Sequence, residues 1–331
     1  MLNSTCTLPQ PLFLDIFAHI VFILSIPIYA IALWVLCSRC PQHFRKYRNL
    51  LVIHVLACLA MELHMSIIWK MVGAVPWAAI CAQGLAAEYA VQCFQVFVVI
   101  LIITALSVVN LFKHRMQVVA LKMEMLQKIE RVFEALSYPF SGLLIVFTLA
   151  SFPELRYQNE HKKLVEQKFG GPGSTPPFIW CDNCFFLRFD SPFCILFFIS
   201  AYATSVAIVS QVILAIIVAY RSLMSTSCKL SGKTKALQKN FLNSLFIMMA
   251  VHVLFMIVPV LLFFLAHVVP FPNSIMAVSY LMVLLMQEHG TASTIAMLLT
   301  NKLLLETIRK KFICIVPRKI SQIDTVMDLT E

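Results

Sequence analysis

Ionisable and amide side chains lie in the middle of several long apolar runs of this chain. A charge at the centre of a membrane helix costs about 2.5–3.5 kcal/mol on insertion scales. Such groups therefore face a bundle interior or a wet cavity, where they bind ligands, ions or protons, or join helix to helix. Glu62 is the most central, with His54 and His64 in the same run. Gln287, Glu288 and His289 interrupt a later run at its middle. Glu62, Glu288 and His289 are expected at similar depth, and a network shared between them has the chemistry of a proton- or sodium-sensitive switch, or of a structural hydrogen-bond network. Glu88, Gln92 and Gln95 are spaced i, i+4, i+7, one stripe of a helix. With Tyr89, Tyr280 and His252 they form a candidate ligand-contact set. The other use of the same amides is to hold helices together.

Catalysis finds no support in these residues. There is no zinc-site spacing, nucleophile elbow or phosphate loop. Glu288 and His289 are sequence neighbours, so their side chains diverge on a helix. The reading is recognition rather than an enzyme, with no metal and no cofactor. Cys181-Asp182-Asn183-Cys184 has the spacing of a redox or zinc CxxC but lacks a βαβ context or a second ligand pair.

The elements that must position these groups are membrane helices. The 331 residues are 60% hydrophobic and 13% charged, more apolar side chain than a soluble domain hides. The apolar runs fall at about 12–36, 49–72, 84–112, 134–152, 191–220, 240–266 and 274–300. A bilayer core needs about 20 helical residues, which gives an all-α bundle of seven transmembrane helices in one domain, 1–331, with 301–331 as a tail. The fourth run is short for a span, and Pro139 blurs its start. Pro27 and Pro259 also fall inside runs, and Pro259 is a candidate hinge.

Charge sets the orientation. Basic residues concentrate on alternate connections: Arg39, Arg45, Lys46 and Arg48; Lys113, Arg115, Lys122, Lys128 and Arg131; Arg221, Lys229, Lys233, Lys235 and Lys239; and a tail that includes Lys302, Arg309, Lys310 and Lys311. These connections hold twenty of the 26 Lys and Arg residues. The positive-inside rule places the N-terminus outside the cell and the tail in the cytoplasm. The net charge of +10 thus reads as topology and as attraction to anionic lipid, not as a nucleic-acid surface.

The outer side is oxidising, so disulfides persist there. Cys81 precedes the third run, and Cys181 and Cys184 lie late in the long second outer loop, 153–190. A bond from Cys81 to one of those two would tie the loop over the bundle, worth about 4–5 kcal/mol in the chain-entropy model. The pairing, and any further bond to Cys6 or Cys194, stays open at this point. Cys37, Cys40, Cys58, Cys93 and Cys228 read as reduced thiols that pack. Gly170 to Pro177 breaks regular structure. Asn3 opens a glycosylation sequon on the outer side. After the seventh run, Leu305, Ile308, Phe312 and Ile315 form one stripe of an amphipathic helix on the cytoplasmic membrane surface, with Cys314 a palmitoylation candidate.

Four segments carry a family likeness: Ser25-Ile26-Pro27-Ile28, Leu111-Phe112-Lys113-His114-Arg115, Lys233-Thr234-Lys235-Ala236-Leu237-Gln238-Lys239-Asn240-Phe241, and His289-Gly290-Thr291-Ala292-Ser293-Thr294-Ile295. In order across the chain they resemble the nematode serpentine receptor class H chemoreceptors. Lys113-His114 stands where that family has an acidic start, and Asn301-Lys302-Leu303-Leu304 replaces its Lys-Pro-Tyr-Arg. The resemblance implies a G-protein-coupled receptor for an environmental small molecule, sited in the plasma membrane of sensory cilia, with Arg115 as the candidate contact to a heterotrimeric G protein. An N-inside ligand-gated channel of the insect odorant-receptor kind runs against the charge asymmetry. A transporter would show internal symmetry between halves, and seven spans do not halve. A receptor-like protein without signalling remains the reading suggested by the two altered motifs.

Overall fold

The computed structural model describes residues 12–37, 45–74, 79–119, 124–168, 170–171, 173–188, 191–225, 232–268, 276–301 and 304–309. Asn3, Cys6 and Cys314 lie outside the described residues, as does the side chain of Arg115. The apolar runs form long helices: α1 (Leu12–Cys37), α2 (Arg45–Leu63), α3 (Ala90–Val119), α4 (Glu124–Ala150), α7 (Pro192–Ser225), α8 (Gly232–His252) continued by α9 (Val258–Val268), and α10 (Met276–Thr300). Two short helices, α5 (Phe152–Arg156) and α6 (Asn159–Lys168), lie between α4 and α7. Among the described residues, six segments are long and apolar enough to cross a membrane: Ile16–Cys37, Arg45–Ile68, Ala87–His114, Arg131–Ala150, Pro192–Val218 and Leu242–Leu262. The 25-residue α10 is a continuous helix whose apolar course is broken by Gln287, Glu288 and His289.

The helices overrun the apolar runs where these end in charged residues. The fourth helix begins at Glu124, a full ten residues before its apolar part, and carries Pro139 within an unbroken helical stretch. Large apolar side chains such as Phe13, Ile16, Ile20, Ile23 and Leu24 on α1 point outward. In water they would be a hazard; facing lipid they need no partner. The inward faces make two main cores. One gathers Tyr29, Leu51, Leu111, Met116, Val212, Leu245 and Met297. The other gathers Met61, Trp69, Phe94, Phe97, Phe185 and Phe197. In the chain contacts α4 packs on α7, α3 on α2 and α7, and α10 on α8, α1 and α2.

The fold is not purely helical. Strands β1 (Met71–Ala74), β2 (Ala79–Ala82) and β3 (Cys184–Phe186) form an antiparallel sheet in the order β1-β2-β3. The second helix therefore ends at Ile68 rather than Val72. Its last turn, His64–Ile68, widens to a π-helix, and Lys70 turns the chain with φ 46°. Gly84 closes the turn into α3: a Cβ there would stand 2.4 Å from the Ile68 carbonyl oxygen. Cys81 and Cys184 face each other in register on β2 and β3 and are joined by a disulfide. Cys181 is disulfide-bonded too, not to Cys184, so the CxxC is neither a redox pair nor half a zinc site. Asn183 between them donates its side-chain amide to the Ala82 carbonyl at 2.7 Å. Gly170, Gly171 and Gly173 all take positive φ, as expected of the breaker segment.

Beyond α10, residues 304–309 are helical. Leu304 is buried in the first core with Ile308 packed beside it, so Ile308, expected on a stripe facing the membrane surface with Leu305, packs on the bundle together with Leu304. The rest of the expected amphipathic stripe, Phe312 and Ile315, lies outside the described residues.

Candidate functional site

A polar seam runs through the bundle where α1, α2, α3, α8 and α10 meet. At its centre Glu62 is fully buried. Tyr29 Oη donates to Glu62 Oε2 at 2.7 Å and Thr291 Oγ1 donates to the same oxygen at 2.6 Å. One carboxylate thus joins three helices. The approach depends on Gly290, because a Cβ at that position would meet Tyr29 Oη at 2.5 Å and the Cys58 Cβ at 2.9 Å. The hydrogen bond from Glu62 to α10 is made with Thr291, not with Glu288 or His289. Glu288 instead accepts from Gln287 Nε2 at 3.2 Å, and Gln287 reaches the Ala18 carbonyl on α1 at 3.5 Å.

About two turns away on α2, His54 continues the seam. Its Nδ1 lies 2.8 Å from Ser107 Oγ on α3, and its Nε2 lies 3.3 Å from Ser293 Oγ on α10. Cys58 Sγ is 3.6 Å from His54 Nε2. The His252 ring stands 5.3 Å from the His54 ring and 5.6 Å from the His289 ring, centroid to centroid. Three imidazoles and a thiol, all buried, therefore converge from α2, α8 and α10. The sequence His289-Gly290-Thr291-Ala292-Ser293 supplies α10's whole share of the seam: imidazole, close approach, and two hydroxyls.

His252 is the last residue of α8 before a π-helical turn, Val253–Ile257, and Pro259 follows at the start of α9. Proline has no N–H to give, so the ladder must skip a carbonyl around it. The wide turn answers this, with the Val258 N–H donating to the Val253 carbonyl five residues back. The expected hinge thus sits beside a local change of helix type, and π-turns often accompany functional sites.

The six candidate ligand contacts fall into separate environments. Glu88 and Tyr89 are exposed in a 3-10 turn, Ala87–Tyr89, ahead of α3. Gln92 is half-buried one turn on. Gln95 is buried and spends its amide on α4, donating to the Thr148 carbonyl at 3.0 Å, which is helix joining rather than a pocket contact. Tyr280 packs with Val72, Cys81, Phe178 and Cys184 beneath the sheet. His252 belongs to the imidazole cluster. Tyr29, Thr291, Ser107 and Ser293 did not stand out in the sequence, since lone hydroxyls in helices usually bond to their own backbone. His54 and Cys58 carried a signal, i and i+4 on one face.

At the opposite end from the sheet, Lys113 on α3 forms an ion pair with Glu134 on α4. His114 stacks on Tyr47 of α2, ring centroids 5.8 Å apart. The basic pair at Lys113-His114 is therefore matched by its own partners. Arg115 follows on the α3 backbone. A small cleft between α3, α4 and α7 is lined by Asn110, Lys113, Glu134, Tyr138 and Gln211.

The family model for serpentine type 7TM GPCR chemoreceptors of the Srh kind matches residues 9–314 of this chain. The chain belongs to the Srh family. No curated protein and no solved structure matches it significantly. The Srh match covers every element of the seam, so the buried residues just described are the interior of a multi-pass chemoreceptor rather than of an enzyme class.

Proposed function

We propose that this Srh receptor detects an environmental small molecule at the plasma membrane of a sensory cilium and passes the signal to a heterotrimeric G protein. In this reading α10 is the seventh span, the N-terminus and the sheet face outward, and the tail from 301 is cytoplasmic. The observation that carries it is the seam: buried hydrogen-bonding groups from five helices meet beside the π-turn and Pro259. A ligand arriving from the sheet end, past Glu88, Tyr89 and Gln92 toward Tyr280 and His252, would bias that meeting point. Activation is then a population shift in which α8 moves at its charged end and exposes the basic face around Arg115.

Calcium or cAMP imaging of cells expressing the receptor against volatile and water-soluble metabolites tests this reading. Once a ligand is found, Arg115→Ala should cut the response at least tenfold at equal surface expression. Unchanged responses would remove Arg115 from the G-protein contact. An N-terminal epitope that stains only after permeabilisation would overturn the orientation and favour an N-inside channel.

A further inference from the structure

We infer that His54, Cys58 and His252 form a binding site for one thiophilic transition-metal ion, zinc(II) or copper(I), clamping α2 to the end of α8. One ligand atom from each of the three residues lies within 4.8 Å of the other two. Around a zinc ion with Zn–S about 2.3 Å and Zn–N about 2.0–2.1 Å, ligand atoms stand about 3.3–3.8 Å apart. Cys58 Sγ and His54 Nε2, at 3.6 Å, already have that separation. A side-chain adjustment of about 1 Å brings in the third ligand.

The hydrogen bonds fix the ring nitrogens in the form a metal needs. Ser107 Oγ donates its only proton to the Thr104 carbonyl at 2.6 Å. It must therefore accept from His54 Nδ1, which leaves the lone pair of His54 on Nε2, facing Cys58 Sγ and the Ser293 hydroxyl that an ion would displace. His252 donates Nδ1–H to the Met248 carbonyl at 2.8 Å, so its lone pair too is on Nε2. That atom is buried and has no hydrogen-bond partner among the described residues. His289 repeats the arrangement, with Nδ1–H on the Met286 carbonyl at 2.7 Å and a buried Nε2 that also has no partner among the described residues. An imidazole whose Nδ1–H is held by a backbone carbonyl or side-chain oxygen is the usual orientation of a metal-binding histidine. Buried acceptors with nothing to accept from are costly, and a cation between these three residues meets that need for His252 Nε2.

The donor set selects the ion. Nitrogen and sulfur ligands exclude calcium and magnesium, which take oxygen, and favour zinc or copper. Binding releases the Cys58 thiol proton to solvent, because the thiolate is the ligand. Three protein ligands leave a fourth position open, and the His289 ring stands 5.6 Å from that of His252, centroid to centroid. With His252 at the π-turn, an ion here would hold α8 against α2.

The test uses the full-length receptor purified in detergent, titrated with cobalt(II) as a spectroscopic stand-in. The expected result is one cobalt per receptor, with tetrahedral visible bands and a near-ultraviolet thiolate charge-transfer band, both displaced by zinc(II) or by copper(I). Cys58→Ala should abolish the charge-transfer band, and His252→Ala should weaken binding at least tenfold. Cys93→Ala should leave both unchanged, with helical circular dichroism checking the fold of each variant. No cobalt spectrum in the unmutated receptor overturns the site, pointing to water or a proton between the imidazoles. So does a thiolate band that survives Cys58→Ala or disappears with Cys93→Ala.

Discussion

At the scale of residues, Glu62 acts through what surrounds it. Its burial was legible in the sequence, because a carboxylate in the middle of an apolar run has nowhere else to go. Its partners were not. Tyr29 and Thr291 are ordinary helix residues until the fold brings α1 and α10 against α2. Glu288 looked like the obvious counterpart, and the structure gives that place to a hydroxyl three residues later. Gly290 is the position where this packing is most exacting. Gly290→Ala drives a methyl into Tyr29 Oη and Cys58 and should cost about 1–3 kcal/mol through overpacking. A fall in melting temperature together with lost signalling is the expected outcome; an unchanged melt would mean that α10 can step back freely. Lys162 provides a second residue-scale prediction, outside the membrane. It is buried and donates to the Cys181 carbonyl at 2.8 Å. Burial pushes its ammonium down to about 8, against the opposing pull of Asp182. The unfolded lysine titrates near 10.4, so between about 8 and 10 the unfolded loop binds more protons and stability rises with pH. Below about 8 the slope vanishes and the cost of burial remains in full. Thermal melts across that window should show the rise, and Lys162→Met should flatten it; equal slopes in both proteins would refute the assignment.

At the scale of elements, the long helices were legible because length and apolarity alone produce them. The sheet was not. Met71–Ala74 and Ala79–Ala82 are four-residue segments with no alternation to read, and their third strand comes from more than a hundred residues away. The long charged extension of α4 was equally hidden, since hydropathy marks only the part that lipid covers. That extension has a use: it brings Glu134 to Lys113. The basic residue that departs from the family pattern after α3 is thus balanced within this chain. Lys113→Glu would oppose two half-buried carboxylates and should destabilise the receptor by about 1–2 kcal/mol. Adding Glu134→Lys should restore most of the loss. Melting temperatures of the two single variants and the double variant measure the coupling directly, and additive losses would show that the pair contributes nothing.

At the scale of the whole molecule, the disulfide and the seam divide the work of holding the bundle. The seam lies where five helices converge and depends on pairs of buried polar groups, whose two sides must stay close. The sheet end is held covalently: Cys81–Cys184 joins positions 103 residues apart and pins the connection between α4 and α7 over the start of α3. Closing so long a loop is worth about 4–5 kcal/mol in the chain-entropy model, more than any single hydrogen bond of the seam. Cys184→Ser should therefore lower the melting temperature sharply and reduce surface expression. Cys194→Ser removes a buried cysteine that is free, at the start of α7, and should have a much smaller effect. The two variants separate the loss of the bond from the loss of a packed sulfur. If the receptor tolerates Cys184→Ser as well as Cys194→Ser, the β2–β3 pairing, the Asn183 clamp and the separate disulfide of Cys181 suffice to hold the sheet. If Cys184→Ser keeps its helical content but loses ligand response, the strapped loop shapes the route by which ligand reaches the seam.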